Sequence, residues 1–451
     1  MDLIAPIDAV FLLAESREHP MHVGGLQLFE APEDAGPDFG RETYEKLLSC
    51  KKIDSTFRKR PATLFGAPQM AWTREDDVEL EYHVRRLALP RPGRIDQLVE
   101  LASGLHSTLL DRHRPLWEIY LIEGLADGRF AVYSKMHHAL IDGVSAQRVM
   151  QRTLTNEADA EPRVPWNLPR TPRKSATEST SSGIRGVARN MLSAAASGPT
   201  LLRTARSILL QQQLTMPFEA PRTMFNVPIG GARRTVVRSW PLERIKQVKK
   251  ATGSTVNDVV LAMSSGALRA YLAERNELPD KPLIAMVPMS LRSADDTETN
   301  GVKVGAVLCN LGTDVADPLE RLGVITESMR KSKGVYSSLS STQTMALSAL
   351  MLSPLALSLL PGLIPHTNPA FNIVISNVPG PREPMYWNGA RLDASYPMSI
   401  PFDGQAVNIT LTTNGGNLDF GLVGCRRSVP ELPRLLDHLE DALTAMEDAA
   451  L

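Results

Sequence analysis

Cysteine is scarce in this chain of 451 residues: Cys50, Cys309 and Cys425 stand far apart, with no CxxC and no Cys/His zinc spacing. Three isolated thiols argue against both a disulfide framework and a structural zinc, and they read as reduced thiols of the cytosolic kind. An excess of either charge is lacking too, since 49 Lys+Arg face 50 Asp+Glu and the net charge is -1. Nucleic acid is therefore not an expected partner, because no basic surplus exists to neutralise a phosphate backbone. The start, MDLIAPIDAVFLLAESREHP, lacks a basic n-region and a small-residue cleavage site, so secretion is not expected either. Glycine-rich phosphate motifs of the P-loop and dinucleotide types are missing as well.

What is present is an ordinary globular composition, 43% hydrophobic and 22% charged. The length exceeds what one hydrophobic core usually supports, so two domains with a cleft between them are expected. NEADAEPRVPWNLPRTPRKSATESTSSG, Asn156 to Gly183, has no apolar period and reads as a linker. The expected division is 1–155, a linker and bridging helix over 156–215, and 216–451. LWEIYLIEGL and RFAVYSKMHH flank Asp127-Gly128 as a hairpin, and GVSAQRVMQRTL follows as a helix. In the second half LERIKQVKKATG and TVNDVVLAMSSGALRAYLAERN read as helices, PLIAMVPMSLR and NPAFNIVISNVPG contain strands, and AVNITLTTNGGNLDFGLVGC reads as a hairpin. The last twenty residues, LPRLLDHLEDALTAMEDAAL, form an amphipathic helix. Mixed strands and helices in both halves imply two α/β sandwiches of the α+β kind.

Two stretches bear on membranes. Met345 to Ile364 carries no charge, but Ser353-Pro354 is an N-cap and first-turn pair, so two short helices lining a core or tunnel are expected rather than a span. Ser179 to Phe218 has no acidic residue and carries Arg185, Arg189, Arg203 and Arg206, with Ile184, Ala188, Met191 and Ala195 on one helical face. A helix lying on an anionic surface and a helix bridging the two halves both fit that pattern.

The most chemical segment is MHHALIDG, 136–143. His137 and His138 at a strand end point to opposite faces, so a single metal ion does not readily take both, and no further cluster supplies the ligands a zinc needs. Gly143-Val144-Ser145 begins like a nucleophile elbow, but Gln147 stands where the second glycine belongs, leaving Ser145 an ordinary first-turn residue. A general base remains: imidazole accepts a hydroxyl proton near neutrality and returns it to a leaving group. His138 would face the cleft and His137 the packing, with Asp142 orienting the ring or bracing the loop and Gly143 relieving crowding at the helix entry. On the residues alone a purely structural histidine pair remains equally open.

HHALIDG matches HHxxxDG, the signature of the acyltransferase superfamily that includes chloramphenicol acetyltransferase and peptide-synthetase condensation domains. With PIDAVFLLAESREHPMHVGGLQLFE, RPLWEIYLIEGL, NDVVLA and SNVPGPREPMYWNGARL, the whole chain resembles the bacterial bifunctional wax ester synthase/acyl-CoA:diacylglycerol acyltransferases. The resemblance implies two chloramphenicol-acetyltransferase-like domains with an active-site tunnel between them, His138 as base, and Asp142 as a mainly structural residue paired with an arginine, for which Arg292 is the candidate. It also implies that Pro115, Leu116 and Trp117 lie near the acceptor, although the ring of Trp117 suits a core equally. Asn257, at a helix start, either donates to an oxyanion or positions the histidine; Asp258, three after Thr255, either caps the helix or serves substrate. Ser376 and Asn377 of SNVPGP are further substrate-binding candidates, while its prolines and Gly380 read first as turn chemistry. The DFGWG segment of plant relatives is missing.

The implied reaction moves a fatty acyl group from acyl-CoA to a long-chain alcohol or diacylglycerol, without a covalent intermediate, a metal or a resident cofactor. The implied location is cytoplasmic, with peripheral contact at a membrane or lipid droplet. A condensation domain acting on carrier-bound donors and a lipid-surface binder without turnover are the competing readings.

Overall fold

The computed structural model describes residues 2–64, 67–168, 215, 217–290, 304–338, 347 and 368–451. The expected pair of short helices at Met345 to Ile364, nearly all of the basic stretch Ser179 to Phe218, and Arg292 lie outside them. No helix among the described residues is long and apolar enough to cross a membrane.

The strands of the first half are β1 (Asp2–Leu3), β2 (His22–Glu30), β3 (Lys59–Leu64), β4 (Ala67–Arg74), β5 (Val84–Ala88), β6 (Trp117–Glu123) and β7 (Phe130–His137). Those of the second half are β8 (Arg233–Pro241), β9 (Ile284–Ser290), β10 (Val304–Asn310), β11 (Ile373–Val378), β12 (Tyr386–Trp387), β13 (Ala390–Met398), β14 (Val407–Asn414) and β15 (Asn417–Cys425). They form two six-stranded sheets, β12-β13-β2-β7-β6-β5 and β10-β9-β11-β14-β15-β8, with a small sheet β1-β4-β3 beside the first. The β6/β7 hairpin turns at Gly128, whose φ of 80° lies in the region that glycine enters without a Cβ clash, and the β14/β15 hairpin turns at Gly415.

The expected boundary at 155 needs two corrections. The stretch 156–167 is not linker: Trp166 is fully buried and stacks on Trp117 at 5.4 Å, and Thr155 bridges to Tyr386. An indole offers far more apolar area than the surrounding polar residues, and its burial ties this stretch to the first core. Moreover β12 and β13, from the second half, complete the first sheet, with β13 antiparallel to β2. Which sheet a strand joins is a non-local choice that its own alternation does not encode.

A reciprocal lock comes from the first half. The helix Ile95–Ser107 packs along β8, the edge of the second sheet, and the Thr235 and Arg233 amides donate to the hydroxyls of Ser103 and Ser107, both at 2.9 Å. Those hydroxyls donate in turn to Val99 and Ser103 carbonyls, so the edge is covered and satisfied. The first sheet buries an apolar cluster on each face, and the second half has its own core around the helix Val256–Ala273.

Candidate active site

Between the two six-stranded sheets lies a cavity of about 650 Å³, within the usual size of a small-molecule site. Its wall draws on both halves: Phe11, Val23, Gly24, Met136 and His138 from the first, Met286, Pro288, Val374, Ser376, Asn408 and Thr410 from the second, and β13 residues Tyr396 to Met398. Mostly apolar, it suits an acyl chain better than a charged ligand.

β7 ends at His137, and strand pitch turns the next two side chains apart. The His137 amide donates to the Leu116 carbonyl at 3.0 Å and the His138 amide to the Met21 carbonyl at 2.8 Å, which anchors the pair from both sides. His138 opens on the cavity, whereas His137 is fully buried away from it.

One short helix, Pro6–Ala14, and its C-cap residue serve both histidines. Phe11 stacks on the His138 ring with centroids 4.0 Å apart and planes 21° from parallel, which fixes the ring plane. Glu15 approaches His137 Nε2 to 3.3 Å, close in charge though not aligned as a hydrogen bond, and also holds Arg112 at 2.9 Å. The Ala139 amide donates to His137 Nδ1, so the ring proton sits on Nε2, the nitrogen facing Glu15. Burial alone would raise the Glu15 carboxyl, but His137, the Met21 amide and Arg112 together hold it below the ordinary value. Neither Phe11 nor Glu15 was singled out in the sequence; their spacing of four on an amphipathic N-terminal segment was the available signal.

Burial pushes His138 down to about 4, opposed by the charge of Asp142 and reinforced by His137. At neutral pH His138 is thus a neutral base on the cavity wall.

Asp142 is the N-cap of the helix Gly143–Thr153, accepting from the Ser145 amide at 3.0 Å and the Ser145 hydroxyl at 2.6 Å. Its carboxylate therefore braces the loop, the second of its two sequence readings, and acts on His138 through charge alone. Gly143 reaches the cavity wall as the first residue of that helix. Asp8 also lines the cavity, and burial followed by the charge of Asp142 raises its carboxyl.

Other candidates are not brought here. Trp117 does not line the cavity: it is fully buried, donates from Nε1 to the Phe57 carbonyl at 2.8 Å, and lies sandwiched between His83 and Trp166. Pro115 and Leu116 are likewise off the wall, Leu116 acting through the carbonyl that anchors His137. Thr255 and Asp258 form a reciprocal capping box, and neither Asn257 nor Asp258 reaches the wall. Ser376 is on the wall and Asn377 is not, as alternation along β11 requires. Gly380, read from the sequence as turn chemistry, has no positive φ; a Cβ there would lie 1.9 Å from the Thr413 carbonyl oxygen, so close backbone approach demands the glycine. The wall residues Asn408 and Thr410 went unremarked, although Asn-x-Thr-x-Thr over 408–412 puts polar side chains on one strand face.

Residues 4–260 match the wax ester synthase/diacylglycerol acyltransferase catalytic domain family, and residues 300–447 match the WS/DGAT C-terminal domain family. The Mycobacterium tuberculosis protein named "Probable diacyglycerol O-acyltransferase tgs2" is 57% identical over 451 residues, which is 100% of this chain and 99% of that one. The O-acyltransferase WSD of Acinetobacter baylyi is 40% identical over 449 residues, covering 98% and 96%. Among solved structures, the wax ester synthase/diacylglycerol acyltransferase from Marinobacter aquaeolei VT8 superposes with a TM-score of 0.79 at 40% identity, covering 99% of both chains. The starter condensation domain of rhizomide synthetase, at 12% identity and a TM-score of 0.60 over 100% of this chain and 94% of that one, shares the fold alone.

Proposed function

The chain belongs to the wax ester synthase/diacylglycerol acyltransferase family and is an acyltransferase; on that premise we propose that it moves a fatty acyl group from acyl-CoA to the hydroxyl of a long-chain alcohol or a diacylglycerol. The observation that carries this reading is His138 open to an apolar cavity walled by both halves.

His138 takes the proton as the hydroxyl oxygen attacks the thioester carbonyl. The C–O bond forms, the carbonyl electron pair moves to oxygen, and the tetrahedral species collapses with loss of the C–S bond. The imidazolium then protonates the CoA sulfur, restoring the neutral base. Both substrates must be bound at once, so proximity and exclusion of water supply much of the acceleration. Acyl-CoA is a substrate here, no resident cofactor takes part, and no acyl-enzyme forms. Cytoplasmic work at a membrane or lipid droplet surface completes the proposal, supported by the four arginines and absent acids of Ser179 to Phe218.

Purified His138→Ala is the test. With palmitoyl-CoA and hexadecanol or dipalmitoylglycerol it should stay folded and lose CoA release by about 100-fold or more. Wild-type rates in that variant, or an acyl-enzyme trapped from wild type and seen by mass spectrometry, overturn the mechanism.

A further inference from the structure

The part of the cavity wall that the second sheet supplies carries a small polar group. Asn408 and Thr410 sit on β14, both nearly fully buried at 4% and 5% exposure, and Ser376 on β11 pairs in register with Thr410. All three side chains line the cavity. The Thr410 hydroxyl donates to Asn408 Oδ1 at 2.7 Å, which occupies the amide's acceptor and fixes its plane. Asn408 Nδ2 is left as a donor that makes no hydrogen bond among the described residues and is not sealed from the cavity. A donor on a nearly buried side chain that opens on a cavity is available to whatever acceptor fills that cavity.

We infer that Asn408 Nδ2 is the donor to the thioester carbonyl oxygen in this reaction, with the Ser376 hydroxyl beside it and Thr410 as the positioning residue. The inference rests on the acyl-transfer reading above. As the acceptor oxygen adds to the carbonyl carbon and its proton passes to His138, the former carbonyl oxygen gains an electron pair and a full negative charge. A donor whose orientation is set beforehand by Thr410 stabilises that charge without reorganising, most effectively in a dry cavity. The geometry divides the labour between the halves: the first supplies the base, the second the oxyanion donor. When the C–S bond breaks, the charge leaves the oxygen and the ester product holds only an ordinary hydrogen bond to Asn408.

Steady-state CoA release from palmitoyl-CoA, with hexadecanol and with dipalmitoylglycerol, tests this in wild type, Asn408→Asp, Asn408→Ala, Thr410→Val and Thr410→Ser. Asn408→Asp keeps the shape and the acceptor for Thr410 but replaces the donor by a negative charge. The expected result is a fall in kcat of about 100-fold or more for both Asn408 variants with either acceptor, the KM for palmitoyl-CoA staying within about threefold. Thr410→Val should lose about tenfold in kcat, and Thr410→Ser should restore it. A folded Asn408 variant with wild-type kcat overturns the inference. So does a loss confined to the KM for dipalmitoylglycerol, which would make the group a reader of the acceptor's ester. Should neither Asn408 variant fold, an unchanged kcat in Thr410→Val overturns it equally. Wild type that releases no CoA with any acceptor overturns the acyl-transfer reading and this inference together; active wild type with unaffected variants overturns this inference alone.

Discussion

His137 Nε2 lies 3.3 Å from Glu15 Oε1, and neither side chain has any exposed surface. Through it the first helix is pinned to the end of β7, and the same helix lays Phe11 on His138. The first histidine of the pair thereby places the second.

Replacing Glu15 by Gln removes the charge shared by His137 and Arg112 while keeping the shape. Loss of charge-assisted contacts to a buried group costs about 1.5 to 3 kcal/mol, so the melting temperature should fall by several degrees. CoA release should fall with it, because Phe11 and His138 lose their fixed relation. A thermal melt and a rate assay on Glu15→Gln, His137→Gln and the double variant decide the point: coupled residues give a double variant less damaged than the sum of the singles.

The pH dependence has a definite sign. Because burial holds His138 near 4, it stays neutral as pH falls through 6.5, and kcat/KM should be flat from about pH 7.5 to about pH 5, declining only below that as the ring protonates. An acid limb centred at 6.5, the ordinary imidazole value, would contradict this.

Stability should respond earlier than rate. Burial drives His22 well below its ordinary value and His106 down to about 3, so between pH 6.5 and about 3 the unfolded chain binds more protons than the folded one. Unfolding free energy should therefore decrease as pH falls through that window, by up to about 1.4 kcal/mol per pH unit for each such histidine. Urea melts at pH 7.5, 6 and 5 measure the slope, and His106→Gln should flatten it.

Two glycines are held by close backbone approach. A Cβ on Gly380 would lie 1.9 Å from the Thr413 carbonyl oxygen, and one on Gly421 would lie 1.9 Å from that of Pro397. Alanine at either site forces the two backbone segments apart at a cost of about 1 to 3 kcal/mol. Gly421→Ala should also lower kcat, since Pro397 belongs to β13 and to the cavity wall, whereas Gly36→Ala, with nothing within 4 Å, should change neither melt nor rate.

Trp117→Phe loses the hydrogen bond to Phe57 and part of the stack between His83 and Trp166. A stability loss of about 1 to 3 kcal/mol is expected, with the ranking of acyl-CoA chain lengths unchanged. A shifted chain-length ranking would return Trp117 to the tunnel.

Much of this was readable from local pattern. The β6/β7 and β14/β15 hairpins, the helix Val256–Ala273 and the closing helix Arg434–Ala450 follow from turn residues and periodicity that act within a few residues. The opposite facing of His137 and His138 is equally local, since strand pitch alone separates consecutive side chains. The family, too, was legible in short segments such as HHALIDG and SNVPGP.

Contacts between residues distant in the chain were not. β13 enters the first sheet, Trp166 folds back on Trp117, Glu15 meets His137, and Asn408 comes to the cavity that His138 also lines; each depends on how distant segments close on one another, and no periodicity encodes that closure. The sequence by itself determined which chemistry is available, because side-chain type and strand alternation are local properties. The tertiary structure decided which side chains share one cavity and which are shut in the core, because burial and pairing are settled only when distant segments pack.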